Sequence, residues 1–385
     1  MKIAWFHSHL LNTNSGGTRF VIDYAIGLKQ LFNHDITIFC DCANTETLSY
    51  FMNAGITVIQ IDRFSTNNFF YWLTLPWRNN WKRKKLQYIE LEFDRIVNSM
   101  FPMNMIISNF NIPKIQMCYE PFAFFYDEGF LKSFTFQQQL FFRLMKLLYQ
   151  GYDKAAFTKM DRILTLNKTN LSKIEAVYGR SATPVYAGID PKIYHRAPTN
   201  EINRIRKMHP GKPLLFHSTD LSGIKGTYPL LDIIKHLLPE FPEIKLLVTV
   251  YVDIPAGINK LNKYILEMGL ESNVEYLGCL QKELLPIYYS SVDFVCQPGL
   301  NQPANWPLKE AMLCGTPIIG GVESEEVDTY NGTKINVNEI KKSVIILSKI
   351  FAKDRTKFSI DIEGLKQSYS IDNCLGLFND LVTKV

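Results

Sequence analysis

The chain has 385 residues, 42 Lys and Arg against 37 Asp and Glu, a net charge of +5 at pH 7, and 46% hydrophobic residues. These values are typical of globular proteins and exclude disordered and collagen-like chains. The length favours two domains, each large enough to bury its own core. No apolar run reaches about 18 residues, and polar residues interrupt the start before a signal-peptide core forms, so we expect a cytoplasmic chain.

The first half of the chain alternates short apolar runs with segments whose apolar residues recur at helical spacing. Residues 2–7 predict a strand, residues 8–17 a polar loop and residues 18–32 a helix, and residues 35–40 and 56–61 predict further strands. Apolar strands that alternate with amphipathic helices are typical of a parallel sheet covered on both faces.

The same alternation restarts in the second half. The predicted strands there are residues 214–217, 245–251, 274–277, 293–297 and 317–319. The predicted helices are residues 228–238, 258–268, 282–290 and 308–314. This pattern predicts a second doubly wound domain.

The domain boundary is predicted where the pattern breaks, near residues 184–196. We place one domain at residues 1–185 and a second at 186–365, and we expect residues 366–385 to pack across the junction. The fold class is therefore α/β, with two Rossmann-like, doubly wound parallel-sheet domains facing a central cleft. Open sheets of this kind bind ligands at the carboxyl ends of their strands.

Seven cysteines are scattered along the chain, and an odd number argues against a disulfide framework. The nearest pair, Cys40 and Cys42, has no histidines at metal-ligand spacing. We interpret the cysteines as buried thiols, and we predict neither a metal site nor a cofactor.

Residues 293–319 carry the strongest chemical pattern. A predicted strand ends near Gln297, a loop rich in glycine and proline follows, and a helix begins near Pro307 or Leu308. The first N–H groups of a helix and the positive end of its dipole are suited to phosphate. Glu310, expected in the first turn, is suited to accept two hydrogen bonds from a ribose diol. An exposed charge near a helix N-terminus is the alternative interpretation.

These residues resemble the signature of glycosyltransferase family 4, a retaining group with the GT-B fold. Two Glu residues separated by seven others precede Ala-Met-x-x-Gly-x-Pro-Val-Ile in that family; here the second is Glu310, and Gln302 stands at the first. The resemblance implies that Glu310 holds the donor ribose and that Gln302 contacts sugar hydroxyls. Gln302 lacks the charge that would stabilise an oxocarbenium-like transition state, so the donor sugar is unusual or the activity is lowered. The loop and helix start implied to hold the diphosphate are Pro303, Ala304, Asn305, Trp306, Pro307 and Leu308.

Three further stretches resemble family landmarks in the family's order. Gly16 and Gly17 resemble a glycine-rich loop that approaches the donor diphosphate or the acceptor, although an ordinary turn also explains them. Residues 184–190 resemble the interdomain linker. Residues 273–278, which end in Gly278, resemble the strand and turn beside the nucleotide base.

A basic loop of the family is only half present. The family has an Arg and, five or six residues later, a Lys that neutralise the diphosphate leaving group. Lys225, followed by Gly226, stands at the Lys position, but Thr219 or Asp220 stands at the Arg position. Without a metal-binding D-x-D motif, Lys225 and the helix N-terminus are left to stabilise the leaving group. An exposed loop lysine is the alternative.

A further departure occurs in the first domain. Residues 115–121 resemble a strand that ends in His-x-Pro, whose His approaches the transferred sugar; Tyr119 stands at that position. A Tyr hydroxyl can hydrogen-bond to a sugar but cannot act as an imidazole near neutral pH. Glu120 is predicted to orient the acceptor. Alternatively, Tyr119 packs on nearby phenylalanines.

Residues 76–85 combine aromatic and basic side chains with no acidic one. Trp77 and Trp81 lie among five cations, which are Arg78, Lys82, Arg83, Lys84 and Lys85. Such a segment suits an anionic bilayer, at about 1 kcal/mol per basic residue. A solvated helix face is the alternative, and nucleic-acid binding lacks a recognition motif. We interpret the segment as peripheral contact with the inner face of a membrane, since many members of the resembled family act on lipid-linked acceptors.

The sequence therefore predicts a metal-independent glycosyltransferase that moves a sugar from a nucleotide diphosphate-sugar donor to a glycan or lipid-linked acceptor with retention. Another GT-B nucleotide-sugar enzyme, such as an epimerase, stays open. So does a non-catalytic GT-B partner that binds a glycan, because three family positions are altered together. The base, sugar, acceptor and oligomeric state are not predicted.

Overall fold

A computed structural model of the chain describes residues 1–13, 15–62, 69–132, 134–251, 254–300, 304–352 and 358–385. The chain forms two compact units. One comprises Met1–Ala187 together with Cys374–Val385, and the other comprises Gly188–Asn373.

The first unit is built on a parallel sheet. Its strands are β1 (Lys2–Phe6), β2 (His9–Leu10), β3 (Asp35–Cys40), β4 (Cys42–Ala43), β5 (Thr57–Gln60), β6 (Arg95–Asn98), β7 (Lys114–Met117), β8 (Arg162–Thr165) and β9 (Thr183–Pro184). Its helices up to the boundary are α1 (Gly16–Phe32), α2 (Thr45–Asn53), α3 (Phe69–Leu73), α4 (Leu75–Lys85), α5 (Ile89–Glu92), α6 (Met103–Ile107), α7 (Ala123–Tyr126), α8 (Glu128–Leu131), α9 (Phe136–Thr158) and α10 (Thr169–Tyr178).

The strand order in this sheet is β5-β3-β1-β6-β7-β8-β9, and neighbouring strands run parallel. Central β1 is apolar after the exposed Lys2, and Ile3, Ala4, Trp5 and Phe6 are completely buried. A strand that is apolar on both sides requires cover on both faces, which the helices provide. β2 and β4 form a separate parallel pair.

The second unit repeats the plan. Its strands are β10 (Leu214–Thr219), β11 (Lys245–Val250), β12 (Val274–Cys279), β13 (Phe294–Gln297), β14 (Ile318–Gly321) and β15 (Gly332–Ile335). Its helices are α11 (Thr199–Met208), α12 (Thr227–Leu237), α13 (Pro255–Glu267), α14 (Leu285–Ser291), α15 (Trp306–Leu313), α16 (Ile340–Phe351) and α17 (Ile362–Tyr369), with 3₁₀ turns at Gly223–Lys225 and Lys282–Leu284. The strand order is β12-β11-β10-β13-β14-β15, all parallel.

The last helix, α18 (Ile371–Thr383), returns the end of the chain to the first unit. The ring of Phe378 lies 5.6 Å from that of Trp5. Gly27 of α1 makes room for this helix, because a Cβ there would lie 2.4 Å from the Leu375 Cδ1 atom. The final residues therefore complete the core of the first unit.

Two α/β units with parallel sheets are the predicted fold class, and this prediction is confirmed. The predicted strand over residues 35–40 has the observed bounds of β3. Helix α1 begins at Gly16, two residues earlier than predicted, so both glycines lie inside the helix. None of the helices in the described ranges is long and apolar enough to cross a membrane.

Candidate functional site

Glu310 lies inside α15 of the second unit. The helix begins at Trp306, so Glu310 is its fifth residue and belongs to the second turn, which corrects the predicted first-turn position. The side chain is only 2% exposed. The Tyr289 hydroxyl donates a hydrogen bond to the Glu310 Oε2 atom at 3.0 Å. Burial and the Glu310 charge raise the pKa of Tyr289 well above its usual value, so this hydroxyl stays a donor.

The start of α15 offers fewer amide donors than predicted. Proline has no N–H, which removes Pro307, and the Leu308 N–H donates to the Asn305 carbonyl at 3.2 Å. Asn305 has a left-handed backbone, with φ of 43°, at the point where the loop turns into the helix. Ala304, Asn305 and Trp306 keep an N–H group at the helix start. Gln302 and Pro303 lie outside the described residues.

A buried lysine anchors this loop, and the sequence analysis missed it. Lys309 is 1% exposed, and its Nζ atom donates to the Ala304 carbonyl at 2.8 Å and pairs with Glu326 at 3.5 Å. The Asn305 side-chain amide donates to the Ser324 hydroxyl at 3.1 Å. These contacts hold Ala304 and Asn305, the end of the loop, at the start of α15. The signal that could have identified Lys309 was its position, as a charged residue directly before Glu310 in an otherwise apolar helix.

The basic loop approaches the loop that leads to α15. Lys225 ends a 3₁₀ turn, and Gly226 follows with φ of +72°. A Cβ at Gly226 would lie 3.2 Å from the Gly299 nitrogen, so only glycine allows this approach without a shift. The Leu300 N–H donates to the Ile224 carbonyl at 3.0 Å. The structure therefore joins the loops that follow β10 and β13.

Asp220, one of two residues at the expected Arg position, is an electrostatic partner of Lys225. Its carboxylate accepts hydrogen bonds from the Tyr251 hydroxyl at 2.6 Å and the Ser222 N–H at 2.9 Å. Burial raises the pKa of the Asp220 carboxyl, but the Lys225 charge and these hydrogen bonds outweigh it and hold the pKa below its usual value. An anion thus stands at one of the two positions that could correspond to the Arg of the resembled family.

Gly278 lies near the end of β12 and is also placed at the carboxyl edge of this sheet. Its φ is +73°, and among the described residues, its two chain neighbours aside, no atom lies within 4 Å of the position that a Cβ would take. Its carbonyl accepts a hydrogen bond from the Thr249 hydroxyl at 2.8 Å. The described residues of the second unit that are predicted to bind the nucleotide-sugar donor therefore lie at or after the ends of β12, β10 and β13, along one edge of the second sheet.

In the first unit, the structure brings Gly17 and Tyr119 together. The Tyr119 hydroxyl donates to the Gly17 carbonyl at 3.3 Å, and a Cβ on Gly17 would lie 3.3 Å from the Tyr119 ring. Gly16 is the first residue of α1, and the Ser15 hydroxyl caps the helix by accepting from the Thr18 N–H at 3.4 Å. Burial raises the pKa of Tyr119 above its usual value, so the hydroxyl is neutral.

Two histidines beside these residues were missed in the sequence analysis. His7 follows β1 and is 1% exposed. Its ring lies 6.3 Å from that of His9, and burial together with His9 lowers the pKa of His7 to about 3. The His7 Cε1 atom lies 3.9 Å from the Cβ position of Gly17. Their place at the carboxyl end of the first strand was the signal that could have identified them.

Tyr119 and Glu120 line a cavity of about 180 Å³ in the first unit. Asp153 also lines it, and this buried carboxylate accepts three hydrogen bonds. The donors are Asn104 Nδ2 at 2.6 Å, the Tyr126 hydroxyl at 2.9 Å and the Tyr178 hydroxyl at 3.0 Å. Burial raises the pKa of Asp153 to about 6 in spite of these hydrogen bonds.

Asp153→Asn is expected to change how stability depends on pH. A carboxyl with a usual pKa of 3.8 and a folded pKa of about 6 binds more protons in the folded state between these values. Its contribution to the unfolding free energy therefore falls by about 2 kcal/mol as pH rises from 4 to 7. Denaturant unfolding at several pH values should show the variant gaining this amount relative to the unmodified chain. The exposed Asp380→Asn change is the control, and parallel curves for Asp153→Asn would contradict the raised pKa.

The basic segment is divided between the core and the surface, which corrects part of the membrane prediction. Lys82 is completely buried, and its Nζ atom contacts Asp41 at 2.7 Å and Asp62 at 3.2 Å. Arg78 pairs with Asp62. The prediction that Lys82 faces a bilayer is therefore wrong, because helical spacing turns it inward. The side chains of Trp77, Trp81, Arg83, Lys84 and Lys85 are exposed.

Within the described residues, no group of three or more His, Cys, Asp or Glu side chains is arranged to hold a metal ion. Five of the seven cysteines are buried, whereas Cys42 is half-buried and Cys279 is exposed.

The two units have the fold of GT-B proteins, as predicted. The Anabaena protein Alr3699/HepE, crystallised in complex with UDP and glucose, matches the chain with a TM-score of 0.76 at 16% identity, and the match covers 100% of both chains. At this identity the likeness shows the fold alone.

Residues 199–354, inside the second unit, match the family described as glycosyl transferases group 1. Spore coat protein SA of Bacillus subtilis (strain 168) is 28% identical over 168 residues, which are 40% of this chain and 43% of that protein. The D-inositol 3-phosphate glycosyltransferase of Xylanimonas cellulosilytica is 24% identical over 147 residues, 37% of this chain and 34% of that protein. The chain spans less than half the length of these curated relatives. The predicted resemblance is confirmed at the level of group 1, and family 4 stays a prediction.

Proposed function

We propose that the chain is a retaining glycosyltransferase that uses a nucleotide diphosphate-sugar donor, needs no metal and acts on a glycan or lipid-linked acceptor. The observation that carries the proposal is the buried Glu310 carboxylate, which lies in the second turn of the helix after the β13 loop and accepts a hydrogen bond from Tyr289. It lies inside the residues that match the group 1 glycosyl transferases. A buried, charged acceptor at the carboxyl edge of a parallel sheet suits a ribose diol.

The second unit binds the donor in this proposal. Glu310 accepts hydrogen bonds from the ribose, and Gly278 leaves space beside the base. Lys225 and the amides at the start of α15 hold the diphosphate, and Gly226 lets the basic loop approach Gly299 in the loop that leads to α15. As the bond to the anomeric carbon breaks, negative charge grows on the leaving diphosphate, and Lys225 stabilises it. Gln302 contacts the sugar through its neutral amide.

The first unit supplies the acceptor side. Tyr119 and the backbone of Gly17, which touch each other, contribute hydrogen-bonding groups toward the sugar, while Glu120 orients the acceptor. A protonated Tyr119 hydroxyl donates or accepts a hydrogen bond without carrying charge. This role differs from that of the histidine in the resembled family, since an imidazole can be protonated near neutral pH.

A second candidate is a non-catalytic partner that binds a glycan. The Asp220 carboxylate beside Lys225 favours it, because this anion offsets the charge that would hold a diphosphate. Such a protein would bind an acceptor glycan without affinity for nucleotides.

Binding and turnover of a panel of nucleotide sugars test the proposal. A donor at 100 times its dissociation constant should stabilise the protein by about 2.7 kcal/mol, visible as a raised melting temperature. Turnover should persist in a metal chelator, and proton NMR of the first product should show the donor's anomeric configuration. Consumption of donor without acceptor would favour an epimerase or a hydrolase. Stabilisation by glycans and by none of the nucleotides would favour the non-catalytic partner.

A further inference from the structure

Three helices of the first unit expose large apolar side chains to solvent. These side chains lie on α3, α4 and α9, and each is between 37% and 80% exposed. We call this set the aromatic face; its members are Phe70, Leu73, Trp77, Trp81, Phe136, Leu140, Leu144, Leu147, Leu148 and Tyr152. An exposed patch of this kind marks an interaction site more often than isolated apolar residues do.

The spacing on α9 shows that the exposure is systematic. Phe136, Leu140, Leu144, Leu148 and Tyr152 recur every fourth residue and therefore form one row along the helix. The other side of α9 carries its own apolar residues, Met145 and Tyr149, which are buried in the core. A surface helix normally has one apolar side, whereas α9 has a second that no described residue covers.

The helices carrying the aromatic face pack against each other. The Tyr149 hydroxyl of α9 donates to the Trp72 carbonyl of α3 at 2.5 Å. Next to the face, α4 and α9 line a groove of about 290 Å³, with Arg83 on one side and Tyr152 and Lys159 on the other. Helices α4 and α9 therefore meet at a groove that Tyr152 of the aromatic face lines together with the cations Arg83 and Lys159.

The exposed charged side chains of α4 and α9 are all cations. Helix α4 contains no acidic residue, and the only one in α9, Asp153, is buried. Arg83, Lys84, Lys85 and Lys154 are exposed on these helices. The Lys85 Nζ atom lies 5.3 Å from the Trp81 ring. The exposed Glu128 pairs with Arg143 of α9 at 3.8 Å and with Lys146 of α9 at 3.6 Å.

We propose that the aromatic face docks on an anionic lipid bilayer. Exposed tryptophans suit the interfacial region, leucines suit the acyl boundary, and the cations suit lipid phosphates. The Arg83 and Lys159 groove would receive such a phosphate. A second copy of the chain fits less well, because pairing this face with itself would bring like charges together. This inference does not depend on the proposed enzymatic activity.

Tryptophan fluorescence provides a direct test, because the chain has five tryptophans and only two are exposed. Trp5, Trp72 and Trp306 are at most 8% exposed, whereas Trp77 and Trp81 are 73% and 52% exposed. Vesicles of phosphatidylcholine with phosphatidylglycerol should shift the emission to the blue, and brominated acyl chains should quench it. Phosphatidylcholine alone should give a much smaller change. Absence of both effects on the anionic vesicles would overturn the proposal.

Flotation of the full chain with these vesicles measures how much the exposed apolar side chains contribute to binding. Combining Trp77→Ser with Leu144→Ser should lower recovery at least tenfold, while the control pair Leu91→Ser and Leu266→Ser should not. The control residues are 89% and 64% exposed and lie outside the aromatic face. Unchanged melting temperatures would verify that the variants are folded. Equal recovery for the two pairs would overturn the proposal.

Charge is tested separately. Changing Arg83, Lys84 and Lys85 to Gln should weaken binding on the order of 100-fold, at about fivefold per cation. The matched control changes three exposed lysines of α16 to Gln, namely Lys341, Lys342 and Lys349. A dimer in light scattering that the Ser pair dissociates, without vesicle binding, would assign the face to a second copy and overturn the proposal.

Discussion

Glu310→Gln is expected to lower donor turnover about 100-fold. The side chain is 2% exposed, and the Tyr289 hydroxyl at 3.0 Å holds its carboxylate. Hydrogen bonds to a charged group contribute roughly 1.5–3 kcal/mol each, and a ribose diol would lose the charge assistance of two. Because Gln has the same shape and its carbonyl can still accept from Tyr289, the fold should persist. Initial rates and nucleotide affinity are the measurements.

Two control variants separate the role of the carboxylate from damage to the fold. Glu271→Gln changes an exposed carboxyl group of the same unit and should leave turnover unchanged. Tyr289→Phe removes the donor but keeps the Glu310 charge, so we expect a smaller loss, within about tenfold. Full turnover by a folded Glu310→Gln variant would contradict the assigned ribose contact.

The sequence predicted the strands well where burial alone determines them. Residues 35–40 are apolar enough to need cover on both sides, and they form β3 with these bounds. Of the short strands β6, β7 and β8, only β7 was indicated by the sequence, and it was indicated by the family resemblance of residues 115–121 and not by its periodicity. Each is only four residues long and contains a polar or charged residue, such as Lys114 or Arg162, so its apolar run is brief. Their pairing depends on neighbouring strands, which local periodicity does not reveal.

Side-chain partners were predicted less well than the elements that carry them. Composition placed Lys82 in a basic surface segment, but its position relative to Leu75 and Asn79 puts it on the inner side of α4. Asp41 and Asp62, distant in sequence, make that burial possible by pairing with its charge. Such an ion pair becomes visible only after the sheet brings the ends of β3 and β5 next to the helix.

In the predicted donor site, too, the side-chain partners were harder to predict than the residues that carry the motif. The motif spacing identified Glu310 and Lys225, but Tyr289 comes from α14, which carries no part of the quoted signature. Contacts between loops that follow different strands require knowledge of the strand order, as the Leu300 to Ile224 hydrogen bond illustrates. Local sequence therefore predicts which residues carry chemistry more readily than which neighbours hold them.

Lys225→Met is expected to lower the turnover number by 100-fold to about 1,000-fold, the range found when one preorganised donor to a developing anion is removed. Methionine preserves much of the side-chain length and removes the charge. Lys282→Met is the matched control, because Lys282 is an exposed lysine of the other 3₁₀ turn in this unit. Single-turnover rates with saturating donor isolate the chemical step. Equal rates for the two variants would assign leaving-group stabilisation to other groups.

Asp220→Asn should act in the opposite direction on nucleotide binding. The Asp220 carboxyl stays ionised because Lys225, Ser222 and Tyr251 hold its pKa below the usual value, so its charge opposes an incoming diphosphate. Asparagine keeps an acceptor for the Tyr251 hydroxyl and removes that repulsion. We expect the affinity for a nucleoside diphosphate to rise several-fold, and the gain to shrink as salt screens the charges. Calorimetry at two ionic strengths measures both effects, and weaker binding by the variant would mean that Asp220 positions Lys225 for the phosphate instead of competing with it.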